Sequence, residues 1–171
     1  VRMVGAAVQS ISDYDGKPGA TFGNFTIDNS AGRVDLMDNL TISKKLSFVT
    51  GIFNIAGKEL TLGAASTIGG ASKTAYITTN GVNFDLGVVK NYAIGNNTFT
   101  YPIGVAGKYT PVTIGINELS KAGAVRIKPL NEKHPNLVGT TDDQLSYYWK
   151  IDATGFQNYT ANMVFNYLQP D

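Results

Sequence analysis

Three short stretches early in the chain repeat one pattern. Asn24-Phe-Thr-Ile27, Asn39-Leu-Thr-Ile42 and Glu59-Leu-Thr-Leu62 each read polar, apolar, Thr, apolar, with Phe25 and Leu40 fifteen residues apart and Leu40 and Leu60 twenty. Between them lie further alternations, Val34-Asp-Leu36, Leu46-Ser-Phe48 and Ile52-Phe-Asn-Ile55, separated by Gly, Asn, Asp or Lys. A two-residue period rich in Thr and branched residues, broken every few positions by turn formers, specifies strands and not helices. Repetition of such units every ~15–25 residues predicts a solenoid in which each coil stacks on the last.

The inward positions of such a solenoid are expected at Phe25, Ile27, Val34, Leu36, Leu40, Ile42, Leu46, Phe48, Ile52, Ile55, Leu60 and Leu62. Stacking puts these side chains in apolar ladders, whose burial at roughly 25 cal/mol per Å² replaces a conventional core. The intervening Thr, Asn and Ser face outward or bond to the turns. Gly69 to Lys73 reads as a flexible joint. Asn80-Gly81, between Ala75-Tyr-Ile-Thr78 and Val82-Asn-Phe-Asp-Leu86, is a hairpin signal, so pairing is expected to change there from stacked coils to antiparallel ribbons.

The second half reads differently. Thr98 to Gly104, Tyr109 to Gly115, Gly123 to Lys128, Leu145 to Ile151 and Ala161 to Tyr167 are five strands with glycine-bearing turns or a long polar connection between them, the spacing of a β-sandwich. Pro102 and Pro111 belong at strand starts or edges, since neither donates to a ladder. Only Asn117 to Lys121 is suited to a helical turn. The expected architecture is therefore all-β: a short right-handed parallel β-solenoid with a hairpin cap over residues 1–92, joined to an antiparallel β-sandwich over 93–171.

Composition narrows the function classes. With 14 basic and 13 acidic residues the net charge is +1, which selects neither nucleic acid nor an anionic membrane. Charged residues make up 16%, against roughly 25% in an ordinary globular protein. Cysteine is absent, which removes disulfides, thiolate metal sites and cysteine nucleophiles. No apolar run approaches the ~20 residues of a membrane helix. The first residues carry neither an initiator Met nor a signal peptide, and the end breaks off after a strand-like pattern, which reads as a piece of something longer.

Candidate chemistry is sparse. Asp13-Tyr-Asp-Gly16 is half of a calcium loop lacking its distal Glu, and a tight turn at Asp15-Gly16 is the better reading. Gly51 to Glu59 has one residue too many for a phosphate loop and Glu where Ser or Thr must bind Mg²⁺. His134 is the single histidine; with Ser146 and Asp142 it provides the residue types of a hydrolytic triad, but no motif presents the serine. Asp142-Asp143 carries the oxygen ligands of a calcium site or, more simply, of a polar turn. Asp28, Asp35, Asp38 and Glu59 fall at different phases of the repeat and do not converge as a glycosidase pair must. Tyr147 and Trp149 share one face of a strand and Tyr148 the other. The first two are the candidates for stacking on a ligand, and burial of the Trp between sheets is the simpler alternative.

Several of these strings resemble repeat modules of large cell-surface and secreted proteins of Bacteroidota. They are Asn39-Leu-Thr-Ile42, Leu60-Thr-Leu-Gly63, Tyr76-Ile-Thr-Thr-Asn-Gly81, Tyr101-Pro-Ile-Gly104, Tyr109-Thr-Pro-Val-Thr113, His134-Pro-Asn136 and Tyr148-Trp-Lys-Ile151. The resemblance implies an exported, adhesin-like or filament module delivered by the type IX secretion route. It implies no catalytic residue and no cofactor, and as partners neighbouring modules of the same polypeptide, other cell-surface proteins or glycans. The expected function is a rigid structural or adhesive spacer at the bacterial surface. The alternatives are a carbohydrate-binding module and a polysaccharide-degrading β-helix enzyme.

Overall fold

The computed structural model describes residues 1–12, 19–55, 57–79, 86–136 and 144–168, which form strands and turns without an α-helix. In chain order the strands are β1 (Arg2–Gly5), β2 (Gln9–Ile11), β3 (Ala20–Leu36), β4 (Leu40–Asn54), β5 (Leu60–Leu62), β6 (Thr67–Gly69), β7 (Ile77–Thr78) and β8 (Val88–Tyr92). They continue with β9 (Gly95–Tyr101), β10 (Ile103–Val105), β11 (Lys108–Tyr109), β12 (Val112–Leu119), β13 (Gly123–Leu130), β14 (Tyr148–Thr154) and β15 (Thr160–Phe165).

The first half is a parallel β-solenoid with three faces. On the first face Ala20, Leu40, Leu60 and Val88 are successive ladder partners. On the second, Phe25 pairs with Leu46 and Leu46 with Ile68, with β1 added beside Thr26–Asn29. On the third, Val34, Phe53, Ile77 and Ile103 stack, with β2 added below. Side chains alternate across a strand, so one register places every second residue of all coils inside. The Thr of the repeat lies on the opposite side, where Thr21, Thr41 and Thr61 form an outer column.

The polar residue that opens the repeat also has a task. Asn39 Oδ1 accepts the backbone N–H of Glu59 one coil on, at 2.9 Å. The corners depend on glycine: Gly51 has φ +97° and Gly70 φ +78°, and a Cβ on either would meet the Asn29 carbonyl oxygen at 2.5 Å or the Phe48 carbonyl oxygen at 2.0 Å.

All the expected inward residues are buried except Ile52, whose place is taken by Phe53 at 0% exposure. A two-residue period cannot hold both Ile52 and Ile55 inside, and the chain keeps the phase of Phe53 and Ile55. The repeat itself is rearranged in one respect. Leu40 and Leu60 are direct neighbours, but Phe25 stacks on Leu46 of the second face, and the partner of Leu40 in the preceding coil is Ala20. The fifteen-residue spacing links two faces of the solenoid, whereas the twenty-residue spacing links two coils.

After β8 the chain builds a second layer without leaving the first. β9, β12 and β15 form a three-stranded antiparallel sheet, while β13 extends the first face antiparallel to β8 and β14 follows antiparallel to β13. The two layers face each other as a sandwich: the Tyr92 and Tyr101 hydroxyls are 3.0 Å apart, and Tyr101 donates to the Val125 carbonyl at 3.4 Å. β10 and β11 return to the third face, where β10 pairs with β7 and β11 folds back on β10. Residues on both sides of position 92 thus share one sheet and one apolar core.

Other expectations change with this topology. Thr98 to Gly104 is two strands, because Pro102 interrupts the run and sends β9 and β10 to different sheets. β7 is bonded in parallel to β4 and β10, while Asn80-Gly81 and the second arm of the expected hairpin through residue 85 lie outside the described residues. Gly69 to Lys73 is a packed corner closed by the Ser72–Ala75 bridge, not a joint. Asn117 to Lys121 makes no helical turn: β12 runs on to Leu119 through a bulge, with Glu118 at φ 59° and its N–H on Asn96 Oδ1.

One inner column of the first face carries a charge at its last parallel rung. Lys90 follows Phe22, Ile42 and Leu62 in register and is 4% exposed. Its ammonium donates to the carbonyl oxygens of Gly63, Ala64 and Ser66 at 2.5–3.0 Å and to Ser66 Oγ at 3.2 Å, beneath the Phe99 ring. At the other end of the solenoid Gln9, in register with inward Val34, uses its amide on Val4 O and Asn29. Polar side chains satisfied by backbone thus occupy ladder positions at both ends of the stack.

Leu60→Ala is expected to cost about 2–5 kcal/mol in urea unfolding. Gly51→Ala should also destabilise, whereas Val49→Ala, at a 60% exposed site, should stay within about 0.5 kcal/mol. Equal losses at Leu60 and Val49 would contradict the ladder assignment.

A second expectation concerns pH. Burial pulls Lys90 from 10.5 down to about 8, so between those values the unfolded chain holds the extra proton and stability rises with pH. Burial pushes Tyr92 up to about 12 and raises Tyr101 further, so above pH 10 the unfolded chain loses protons first and stability falls. The urea midpoint should therefore climb from pH 8 to a maximum near 10 and then drop. Lys90→Met should remove the climb and Tyr101→Phe should soften the drop; a profile unchanged in both variants would refute the assignment.

Candidate functional site

The residues singled out for ligand stacking are packed into the sandwich. Tyr147 is 1% exposed, meets Trp149 edge to face at 5.4 Å, and its hydroxyl accepts the N–H of Leu168 at 3.3 Å. Trp149 Nε1 donates to the Thr110 carbonyl at 3.2 Å and its ring lies 5.0 Å from Phe165. A ring covered on its faces has no surface left to offer a sugar, so Tyr147 is corrected from a stacking residue to a packing residue. Trp149 retains partial exposure but works as the wedge between β14 and β15.

The other sequence candidates stay apart. Ser146 Oγ accepts a hydrogen bond from Lys108 Nζ at 2.7 Å, while His134 Nδ1 accepts the Asn136 N–H and its ring rests on Tyr148. The serine and the histidine are thus engaged elsewhere; Asp142 and Asp143, like Asp13 to Pro18, lie outside the described residues. Gly51 and Phe53 are strand residues, and Glu59 bonds Arg126 at 2.9 Å and Thr61 at 3.1 Å, so this segment is no anion cradle. The acids sit in separate pairs: Asp28 with Arg2, Asp35 with Arg33, Glu59 with Arg126. Among the described residues no group of three His, Asp or Glu side chains is placed to hold a metal ion.

What stacking does assemble is a groove of about 500 Å³ on the outer side of the third face. Arg33, Ile52 and Tyr76 fall in one outer column and Asp35, Asn54 and Thr78 in the next, because Arg33 pairs with Ile52, Asp35 with Asn54 and Asn54 with Thr78. The columns are joined by polar contacts. Arg33 Nε meets Asp35 Oδ1 at 2.8 Å, Asn54 Nδ2 donates to Asp35 Oδ1 at 2.9 Å, and Thr78 donates to Asn54 Oδ1 at 3.4 Å.

One end of the groove is shaped by the β10–β11 turn at Ala106 and Gly107, the other by Val8 and Gly32. Tyr76 forms a buried wall: it packs on Tyr109, donates to Val105 O at 3.2 Å, and burial raises its pKa. The same ring leaves no room for a side chain at Gly104, where a Cβ would lie 2.7 Å from Tyr76 and 2.0 Å from the Lys108 carbonyl oxygen.

A guanidinium, a carboxylate, an amide and a hydroxyl aligned over three coils, beside apolar Ile52, suit a neutral ligand rich in hydroxyl groups. Sequence reading missed this site because its residues lie far apart in the chain. The signal was present only as the outward members of Arg33-Val-Asp35, Ile52-Phe-Asn54 and Ile77-Thr78, and becomes visible once the coil register is known. Comparison with protein-family models, with curated proteins and with solved structures finds no match for the chain.

Proposed function

We propose that this chain is a non-catalytic structural module, a rigid spacer or adhesive segment of a large bacterial cell-surface or secreted protein. The observation that carries the reading is the continuity of the fold: three stacked faces and the second layer close over one apolar core. Such a body has few independent parts to hinge, and each coil is braced by the coils stacked on it. The paired, dispersed acids support the same reading, since Asp28, Asp35 and Glu59 are each engaged with a different arginine. Pulling the chain from its two ends should produce one cooperative unfolding event that releases the whole length. Stepwise release of the segment after residue 92 at low force, or turnover of a polysaccharide by the purified chain, would defeat the proposal.

The groove on the third face favours carbohydrate binding as a second reading, with Arg33, Asn54 and Thr78 as hydrogen-bonding groups. A glycan array should then yield ligands whose binding falls at least about tenfold in Arg33→Ala and Asn54→Ala, roughly the loss of one or two charge-assisted hydrogen bonds. Binding that survives both substitutions, or no binding at all, would reject the groove as the site.

A further inference from the structure

The two layers of the sandwich end on the same side, and among the described residues both outer edges are unpaired. β14 closes the large sheet and β15 the small one, and among the described residues no strand pairs with the outer edge of either. The two lie over one another through the contact of Trp149 with Phe165. β15 has none of the devices that protect a free edge: its sequence, TANMVF, contains no charge and no proline, and its pairing with β12 is free of bulges. Ala161, Met163 and Phe165 pair with buried Ile116, Ile114 and Val112 and so belong to the core side of the sheet. Met163 is nonetheless 44% and Phe165 38% exposed, because β14 is the last strand beneath them; Val164, on the other side, is 53% exposed.

The β14 edge carries information about what covers it. Its side chains alternate, with Trp149 and Ile151 against the core and Tyr148, Lys150 and Asp152 on the outer side. If β14 pairs antiparallel with β14 of a second copy about a two-fold axis at Ile151, Lys150 falls opposite Asp152 of that copy, and Asp152 opposite its Lys150. Trp149 then faces Ala153, and Ile151 faces Ile151. A slip of two residues either way sets Lys150 against Lys150 or Asp152 against Asp152, and like charges directly opposite destabilise a strand pair. A slip of one residue turns core side chains to the surface. One register alone is therefore complementary in both charge and face.

We propose that the double edge formed by β14 and β15 is a docking surface for a second copy of this chain. The two copies join through β14 in the register centred on Ile151, so that each covers the apolar overhang of the other's β15. The interface is isologous, as a two-fold dimer requires. It does not depend on the module reading or on the groove.

Sedimentation of the purified chain across a concentration series tests this. The wild type should show a reversible monomer–dimer equilibrium. Asp152→Lys, which sets two lysines opposite Lys150 and its mate, should weaken it at least about tenfold, and the exchange Lys150→Asp with Asp152→Lys should restore it. Met163→Lys should also weaken it by charging the apolar overhang of β15. Because the chain has no cysteine, Ile151→Cys provides a readout independent of the charge variants: under mild oxidation it should form a disulfide-linked dimer through position 151. A chain that stays monomeric at every concentration overturns the proposal, as does an association indifferent to Asp152→Lys and Met163→Lys in folded protein, or a cysteine variant that does not cross-link.

Discussion

The structure rests on the in-register stacking of backbone over backbone. A coil of this solenoid cannot bury its apolar residues alone; only when the next coil lies directly on it do Leu40 and Leu60, or Phe25 and Leu46, close into a ladder. That closeness dictates the corners, where the neighbouring coil's carbonyl occupies the space of a side chain and only glycine fits, at Gly51 and Gly70. It also sets what happens outside the barrel. Outward residues of successive coils are brought as near as the inward ones, which is how Asp35, Asn54 and Thr78 become a polar column.

A stack that adds coils so readily must also stop. The last parallel rung of one inner column is Lys90, whose ammonium is held by three carbonyl oxygens of the turn below, and its partner Val125 carries the column on in antiparallel pairing. The chain then reverses direction, and β13 continues the same sheet antiparallel to β8. The change from parallel to antiparallel pairing is what allows a sandwich layer to grow on a solenoid without a linker. It also explains why residues on either side of position 92 contribute to one core, and why the last strands of both layers finish at a common edge.

Much of this was legible in the sequence. The two-residue period identified eleven of the twelve expected inward residues, because alternation reports which side of a strand a residue faces. It does not report which strand lies alongside. The fifteen-residue echo between Phe25 and Leu40 therefore looked like a rung and proved to be a step from one face to another. Pro102 was placed at a strand start or edge but kept within one strand, Thr98 to Gly104, and proved to be the point where the chain changes sheets. Tyr147 was misread for a related reason: alternation put it and Trp149 on one face, and only the second layer made that face the interior at Tyr147. The groove was invisible, since it joins residues as distant in the chain as Arg33 and Thr78 through a register no local pattern encodes.

Native-state hydrogen exchange tests the central claim, that coils and sandwich are one cooperative body, most directly. The amides of Leu60 and Phe53 in the solenoid and of Ile114 and Ile127 in the second half should exchange with one common opening free energy, equal to that of global unfolding. Exchange of Ile114 and Ile127 through a separate opening of lower free energy, with Leu60 and Phe53 still protected, would contradict it.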